Sequence, residues 1–281
     1  MNAAAAAKRV WSAVRRVYPR CGMISQAVAF NMFLAFFPML LVVLWILSSY
    51  VNTRAALPDV VEGLYAVLPP GSRQMMTAFL LARAAHPWHW ALLGCSGTLL
   101  AGSQVMKLLM EGIQIIHADQ DKHSFLGRQF RGFLLLLATL APFLVVVLLT
   151  VFGLPLRKWT MRELGRSGLA GGFESVMFPA IAMVLAMIVL AVIYSVAHPV
   201  TRGWREVLPG AAAATLAWWA VNSLFGIYVR RMQYSQVYGG LAAAIGLMVW
   251  MELSAVIVFL GAAWNAEAAA RESERREARR V

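Results

Sequence analysis

The side chain most able to do chemistry in this sequence is the carboxylate of Glu252. It lies within Leu241–Trp264, a long apolar segment. A helix that crosses a bilayer needs about 20 apolar residues, and a carboxylate at its centre costs about 2.5–3.5 kcal/mol on insertion scales. Such a group usually faces a bundle interior, a cavity or a partner. Glu252 is therefore a candidate for substrate or proton coupling, and a buried structural hydrogen bond is the alternative.

Helical spacing places Glu252 on one face with Met248, Val256, Phe259 and Ala263. A second pair of charged residues, Lys107 and Glu111, closes the apolar segment Trp90–Met110 with the i,i+4 spacing of helical ion pairs. These two residues are candidates for coupling or substrate contact. Alternatively, they extend to the membrane interface and pair with each other there.

Cationic and tyrosine side chains lie at the end of the fourth apolar segment and in the connections around the last two. They are candidates for contact with substrates or with anionic lipid head groups, which attract Lys and Arg by about 1 kcal/mol each near the surface. The set comprises Tyr194, Arg202, Arg205, Arg230, Arg231 and Tyr234.

No pattern in the sequence predicts catalysis, a metal or a cofactor. His117, Asp119, Asp121 and His123 alternate in a way that matches neither zinc nor calcium sites, which favours a solvated loop. No nucleophile lies beside a base in a recognisable motif. We therefore expect no enzyme activity, no metal and no cofactor.

The composition predicts a polytopic membrane protein. The chain has 281 residues, of which 60% are hydrophobic and 14% charged, whereas soluble domains carry about 25% charged residues. The predicted fold is all-α, with one transmembrane domain of six helices (27–267) between a basic amphipathic lead (1–26) and a charged tail (268–281). The predicted spans are Val28–Val51, Trp90–Met110, Gly132–Leu154, Val176–Ala197, Leu208–Val229 and Leu241–Trp264.

Local patterns predict further features of these elements. Two short amphipathic helices, around Val60–Leu68 and Met75–Leu80, are expected between the first two spans, as an interfacial anchor or as a cap. Pro38 predicts a kink in the first span, and glycines in the second span allow close packing. Pro209 is expected at the start of the fifth span, where its missing N–H is harmless.

The charge distribution predicts the orientation. The net charge is +12, and Lys and Arg are concentrated in the two ends and the even-numbered connections. This bias places both termini in the cytoplasm, although the basic connection Arg157–Arg166 falls on the outer side. The charge predicts contact with anionic lipids and not with nucleic acid, since no nucleic-acid-binding module is visible.

Several spaced motifs resemble the BrkB/YihY family of bacterial inner-membrane proteins, also called virulence-factor BrkB or envelope-integrity proteins. They are Ala27–Phe30 leading to Pro38, Tyr194–Pro199, Trp204–Ala211, Tyr238–Gly240, Trp250 and Gly261–Glu267. The resemblance covers residues 10–268. The motif positions that it marks as structural are Pro38, Pro209, Gly210, Gly239, Gly240, Trp250, Gly261 and Asn265.

The sequence departs from the family pattern at two positions. Ala263 stands where the family often has an acid, and Glu252 stands where an apolar residue or tyrosine is more typical. Glu252 would supply the acid three turns earlier on the same helix. The family was once called a ribonuclease, but no exposed cluster of His, Asp and Glu that could hold catalytic metals is apparent.

The resemblance implies a role in envelope integrity. Our leading expectation is a transporter-like inner-membrane protein that moves or delivers an anionic lipid or another amphipathic envelope component. The alternatives are a non-transporting scaffold for envelope machinery and a small-solute permease. The expected partners are membrane lipids, envelope-machinery proteins and a second copy of the chain.

Overall fold

The computed structural model describes residues 3–50, 88–117, 126–140 with 142, 168–197, 203–231 and 240–279. These residues are helical almost throughout, and none of them lies in a strand. The helices are α1 (Ala3–Tyr50), α2 (Trp88–His117), α3 (residues 126–140), α4 (Gly168–Ala197), α5 (Trp204–Arg231) and α6 (Gly240–Ala278). The all-α prediction is confirmed.

Five stretches within these helices are long and apolar enough to cross a membrane: Cys21–Val42, Ala91–His117, Ala180–Ala197, Trp204–Ile227 and Ala244–Ala278. Each overlaps one predicted span. The remaining predicted span, Gly132–Leu154, runs beyond the described residues, so the count of six stays a prediction. Both predicted amphipathic helices also lie outside the described residues.

Helix α1 runs without a break from the basic lead into the first span. Its Pro38 lies against Gly94 and Gly97 of α2, which are among the glycines that predicted close packing in the second span. A Cβ atom at Gly94 would lie 2.9 Å from the Pro38 carbonyl oxygen, and one at Gly97 would lie 2.9 Å from the proline ring. The proline and the glycines therefore let the backbones of α1 and α2 approach closely.

The core of the described residues forms where α1, α2 and α6 meet; α5 packs against α6, and α4 packs against α5 and α2. Phe259 of α6 is fully buried, and its ring lies directly over Gly112 of α2. Large apolar side chains are exposed elsewhere on the helices, for example Leu100, Leu224 and Val249. In a bilayer these exposed side chains contact lipid tails, which are as apolar as the side chains themselves.

Helix α5 corrects one prediction, because it begins at Trp204 and Pro209 therefore lies inside the helix. The first turn forms ahead of the proline, where the Glu206 N–H donates to the Gly203 carbonyl at 2.9 Å. An interior proline removes a backbone donor and disturbs the hydrogen bonding of the neighbouring turn. A side chain of α6 bonds to this turn, as described below.

Candidate functional site

Glu252 lies in the part of α6 that is apolar enough to span the membrane. Its side chain is half-buried, and it has no hydrogen-bond or ion-pair partner among the residues that the structure describes. Phe259, two turns later on the same face, packs against α2, so Glu252 lies on the side of α6 that faces α2. The alternative role for this carboxylate was a structural hydrogen bond. No such bond is present in the described part of the chain.

A close crossing of α5 and α6 is built on Gly210 and Gly261. A Cβ atom at Gly210 would collide with the Gly261 carbonyl oxygen and with the Asn265 amide. A Cβ atom at Gly261 would collide with the Tyr194 hydroxyl and would lie 2.8 Å from the Ala214 Cβ. Only hydrogen fits at either position. The two backbones touch here, which is how small residues give membrane helices their packing energy.

The Asn265 side chain joins the same two helices through both ends of its amide. Its Oδ1 accepts the backbone N–H of Gly210 at 2.8 Å, and its Nδ2 donates to the Val207 carbonyl at 3.1 Å. Asn265 is 4% exposed. The amide therefore satisfies backbone groups on either side of Pro209, in the turn that this proline disturbs.

Tyr194 connects α4 to this crossing. It is 3% exposed, and its hydroxyl donates to the Val258 carbonyl of α6 at 2.8 Å. The hydroxyl also fills the space directly above Gly261. The sequence nominated Tyr194 for substrate contact, but the structure shows its hydroxyl inside the helix contacts. We refer to Tyr194, Gly210, Gly261 and Asn265 as the glycine crossing.

A second polar contact between α5 and α6 lies nearer the Glu252 level. The Trp250 indole N–H donates to the Asn222 amide oxygen at 2.6 Å, and the Trp218 indole N–H donates to the Ser254 hydroxyl at 3.2 Å. The two indole rings lie 6.3 Å apart between centroids. These contacts do not involve the face of α6 that carries Glu252, because residues 250 and 254 lie on a different face of the helix.

Lys107 does not form the predicted i,i+4 pair with Glu111. Its Nζ donates instead to the Gln129 amide oxygen of α3 at 2.6 Å. Gly132 of α3 lies against the Lys107 side chain, so that the lysine follows the seam between the two helices. Glu111 is exposed and has no partner within the described ranges. The order of the pair explains this outcome, since Lys before Glu is the weaker arrangement on a helix.

The carboxyl end of α4 is held by two side chains that were not nominated from the sequence. Arg131 of α3 donates to the Val196 carbonyl at 3.1 Å, and Gln114 of α2 donates to the Ala197 carbonyl at 3.4 Å. The last carbonyls of a helix lack intrahelical donors, and a cation there is also favoured by the helix dipole.

Some of the other residues that the sequence suggested lie within the described helices, and some do not. Arg205 is exposed on the first turn of α5. Arg230 and Arg231 lie in the last turn of α5, and Gly240 begins α6. Arg202, Tyr234 and Gly239 lie outside the described residues. Within the described ranges no group of three or more His, Cys, Asp and Glu side chains comes together as a metal site would require.

Sequence reasoning missed the interhelical partners Gln114, Gln129 and Asn222. Gln114 and Asn222 are uncharged polar residues within apolar helices, and this is a usable signal, because such groups must find a donor or acceptor inside the membrane. Gln129 lies between Arg128 and Arg131, before the predicted third span, and gave no such signal. The hydrogen-bond partner of each residue could not be predicted from the sequence, since it depends on which helices become neighbours.

Comparison with known proteins identifies the family that these motifs resemble. The profile of the family described as Virulence factor BrkB matches residues 18–281. The chain belongs to the BrkB family. It is a multi-pass membrane protein of this family, as the apolar helices also indicate. The family resemblance drawn from the sequence motifs is confirmed.

Individual BrkB relatives share moderate identity with this chain. The ribonuclease-like protein YfkH of Bacillus subtilis is 26% identical over 245 residues, which cover 86% of this chain and 88% of that protein. A UPF0761 membrane protein of Xanthomonas oryzae is 36% identical over 89 residues, 31% of this chain and 21% of the relative. A UPF0761 membrane protein of Tolumonas auensis is 32% identical over 78 residues, 27% of this chain and 26% of the relative. No solved structure matches the chain.

Proposed function

We propose that this BrkB protein acts in the bacterial inner membrane, with both termini in the cytoplasm, and transports or delivers an anionic lipid or another amphipathic envelope component. One observation carries the proposal. Glu252 is an acidic side chain within a membrane span, and no described residue pairs with it. A group that is expensive to insert and forms no hydrogen bond or ion pair with the described residues is best explained by a transported proton or substrate.

The polar residues of α6 have separate roles in this function. Glu252 binds and releases a proton, or contacts the polar part of the substrate. Asn265 and Trp250 hold α6 against α5 through their bonds to Gly210 and Asn222. The helix that carries the carboxylate is thus fixed against α5, while the carboxylate itself has no bonding partner among the described residues and is free to bind a ligand.

Cationic residues at the ends of the helices would meet the negative head group. Arg205 is exposed at the start of α5, and Arg230 and Arg231 end the same helix. The two ends of a spanning helix lie at opposite membrane surfaces, so that an anionic amphiphile would meet a cation on either side. Guanidinium groups suit phosphate because they offer paired donors in a fixed plane.

Liposomes that contain a labelled anionic phospholipid test the proposal. Transbilayer movement of the label is measured with and without a pH gradient for the wild type, Glu252→Gln and the control Glu267→Gln. Glu267 lies on the same helix and pairs with Arg271 at 3.5 Å. We expect protein-dependent movement in the wild type and in the control, and its loss in Glu252→Gln.

A non-transporting scaffold for envelope machinery is the second candidate, favoured by the tight glycine crossing. Helices that touch through Gly210 and Gly261 leave no room for a rearrangement at that level. Label movement no faster than in empty liposomes, under either condition, would overturn transport and favour the scaffold. Full activity of Glu252→Gln would instead retain transport and remove the carboxylate from it.

A further inference from the structure

Two opposite charges on one face of α2 both lack a charged partner among the residues that the structure describes. Lys107 and Glu111 are separated by one helical turn, and the lysine bonds only to the neutral amide of Gln129. Glu111 is exposed and makes no hydrogen bond or ion pair with any residue that the structure describes. An ammonium and a carboxylate that do not pair with each other leave one cationic and one anionic position for a ligand.

We place these two residues at the depth of lipid head groups by counting from the start of the apolar stretch of α2, which itself runs to His117. About 20 helical residues cross a bilayer core, and 20 residues counted from Ala91, where the apolar stretch of α2 begins, end at Met110. Lys107 then lies one turn inside this boundary and Glu111 just beyond it. At 1.5 Å per residue, the two positions are about 6 Å apart along the helix axis.

The seam around Lys107 is suited to a phosphate. Gln129 uses its carbonyl oxygen to accept the lysine proton, which leaves its NH₂ group as a donor beside the ammonium. Arg128, the preceding residue of α3, is close enough to act electrostatically on Lys107. The Lys107 ammonium and the Gln129 amide donor therefore lie side by side, with a second cation on the neighbouring residue of α3, whereas the position of Glu111 is acidic.

Apolar side chains extend from the charged pair along both helices. Leu100 precedes Lys107 by seven residues, which places it two turns deeper on the same face of α2, and it is 68% exposed. Helix α3 runs back beside α2, with Leu136 against Gly102, so the residues that follow Gln129 lie deeper, and Leu134 and Leu137 are exposed there. A soluble phosphate would gain nothing from these surfaces, but a lipid can lay its acyl chains along them.

We propose that Lys107, Gln129 and Glu111 form a binding site for a zwitterionic aminophospholipid of the phosphatidylethanolamine type. The lipid phosphate accepts hydrogen bonds from the Lys107 ammonium and the Gln129 amide, and the lipid ammonium donates to the Glu111 carboxylate. The site requires only that the chain lies in a membrane, and it is independent of transport. A choline head group has no N–H to donate, and a glycerol head group carries no cation.

Native mass spectrometry of the full chain in detergent micelles tests this site. The protein is titrated with phosphatidylethanolamine, phosphatidylcholine and phosphatidylglycerol that have identical acyl chains. We expect the wild type to bind phosphatidylethanolamine about three- to fivefold more tightly than phosphatidylcholine, the range for a partly exposed ion pair. Glu111→Gln should abolish this preference and raise the affinity for phosphatidylglycerol. Lys107→Gln should weaken the binding of all three lipids.

A control separates this site from general surface charge. Arg15 is an exposed cation on α1, and Arg15→Gln should leave the lipid preference unchanged. Tighter binding of phosphatidylglycerol than phosphatidylethanolamine by the wild type would overturn the proposal, as would a preference that survives in Glu111→Gln. An equal loss of preference in Arg15→Gln would also overturn it. Because Glu111 is exposed and unbonded, its variant should fold even if Lys107→Gln does not.

Discussion

Polar side chains in two regions of α6 differ in their hydrogen bonding. At the glycine crossing, the Asn265 amide bonds at both ends and the Tyr194 hydroxyl bonds to the α6 backbone. At the Glu252 level, the side chain with the greatest insertion cost has no partner among the described residues. The difference separates polar groups that build the bundle from one that the bundle does not need. Stability measurements should therefore respond to the first region and not to the second.

The largest effect is expected from Gly261→Ala. The added Cβ atom would meet the Tyr194 hydroxyl, the Ala214 methyl and the Gly210 carbonyl together. Overpacking of this kind costs about 1–3 kcal/mol, and we expect the upper end, because two of the three neighbours are backbone or Cβ atoms that cannot rotate away. Thermal unfolding of the purified protein in detergent measures the loss.

Gly246→Ala is the matched control for this substitution. Gly246 lies on the same helix, but the nearest atom to its added Cβ would be 4.0 Å away, in the Phe225 ring. We expect no loss of stability there. If Gly261→Ala unfolds at the same temperature as Gly246→Ala, the close approach of α5 and α6 is wrong.

The next effect is expected from Asn265→Ala. It removes two interhelical bonds and leaves the Gly210 N–H without its acceptor. Bonds between membrane helices contribute about 0.6 kcal/mol on average and up to about 1.7, so that two bonds predict a loss of about 1–2 kcal/mol. Asn31→Ala is the control, because the Asn31 amide bonds only to Ala27 of its own helix. Equal losses in both variants would contradict a bridging role for Asn265.

A smaller effect is expected from Tyr194→Phe, which removes one hydroxyl and its bond to the Val258 carbonyl. We expect a loss of about 0.6 kcal/mol. The double variant Tyr194→Phe with Gly261→Ala should be more stable than the sum of the single losses implies, because the hydroxyl that collides with the new methyl is gone. Strict additivity in a double-mutant cycle would contradict the contact.

Much of the fold was predictable from the sequence, because each spanning helix must by itself supply about 20 apolar residues. Apolar length predicted the helices, and the glycines of the second span, among them Gly94 and Gly97, were recognised as packing positions. Gly261 was marked only as a structural position of a family motif. Their partners were not predictable. That Gly97 meets Pro38, or that Asn265 reaches the turn around Pro209, depends on the three-dimensional arrangement of the helices.

The candidate site shows the same division. The unusual depth of Glu252 was visible in the sequence as an acid within an apolar run. The i,i+4 spacing of Lys107 and Glu111 suggested an ion pair, but an isolated helix cannot show that Gln129 of another helix competes for the lysine. Tyr194 was nominated for its place in a motif, and only its contacts show that it bonds to α6.

Glu252→Gln should have the smallest effect on stability and the largest on activity. Because no described residue bonds to the carboxylate, the neutral amide removes no structural contact, and we expect unfolding within about 0.5 kcal/mol of the wild type. The same preparation should lose the transbilayer movement of the labelled lipid. Unfolding and transport are measured on one reconstituted sample, so that a folding defect cannot be mistaken for lost coupling. A loss of stability as large as that of Asn265→Ala would mean that Glu252 is a structural group, and the contrast between the two regions of α6 would fail.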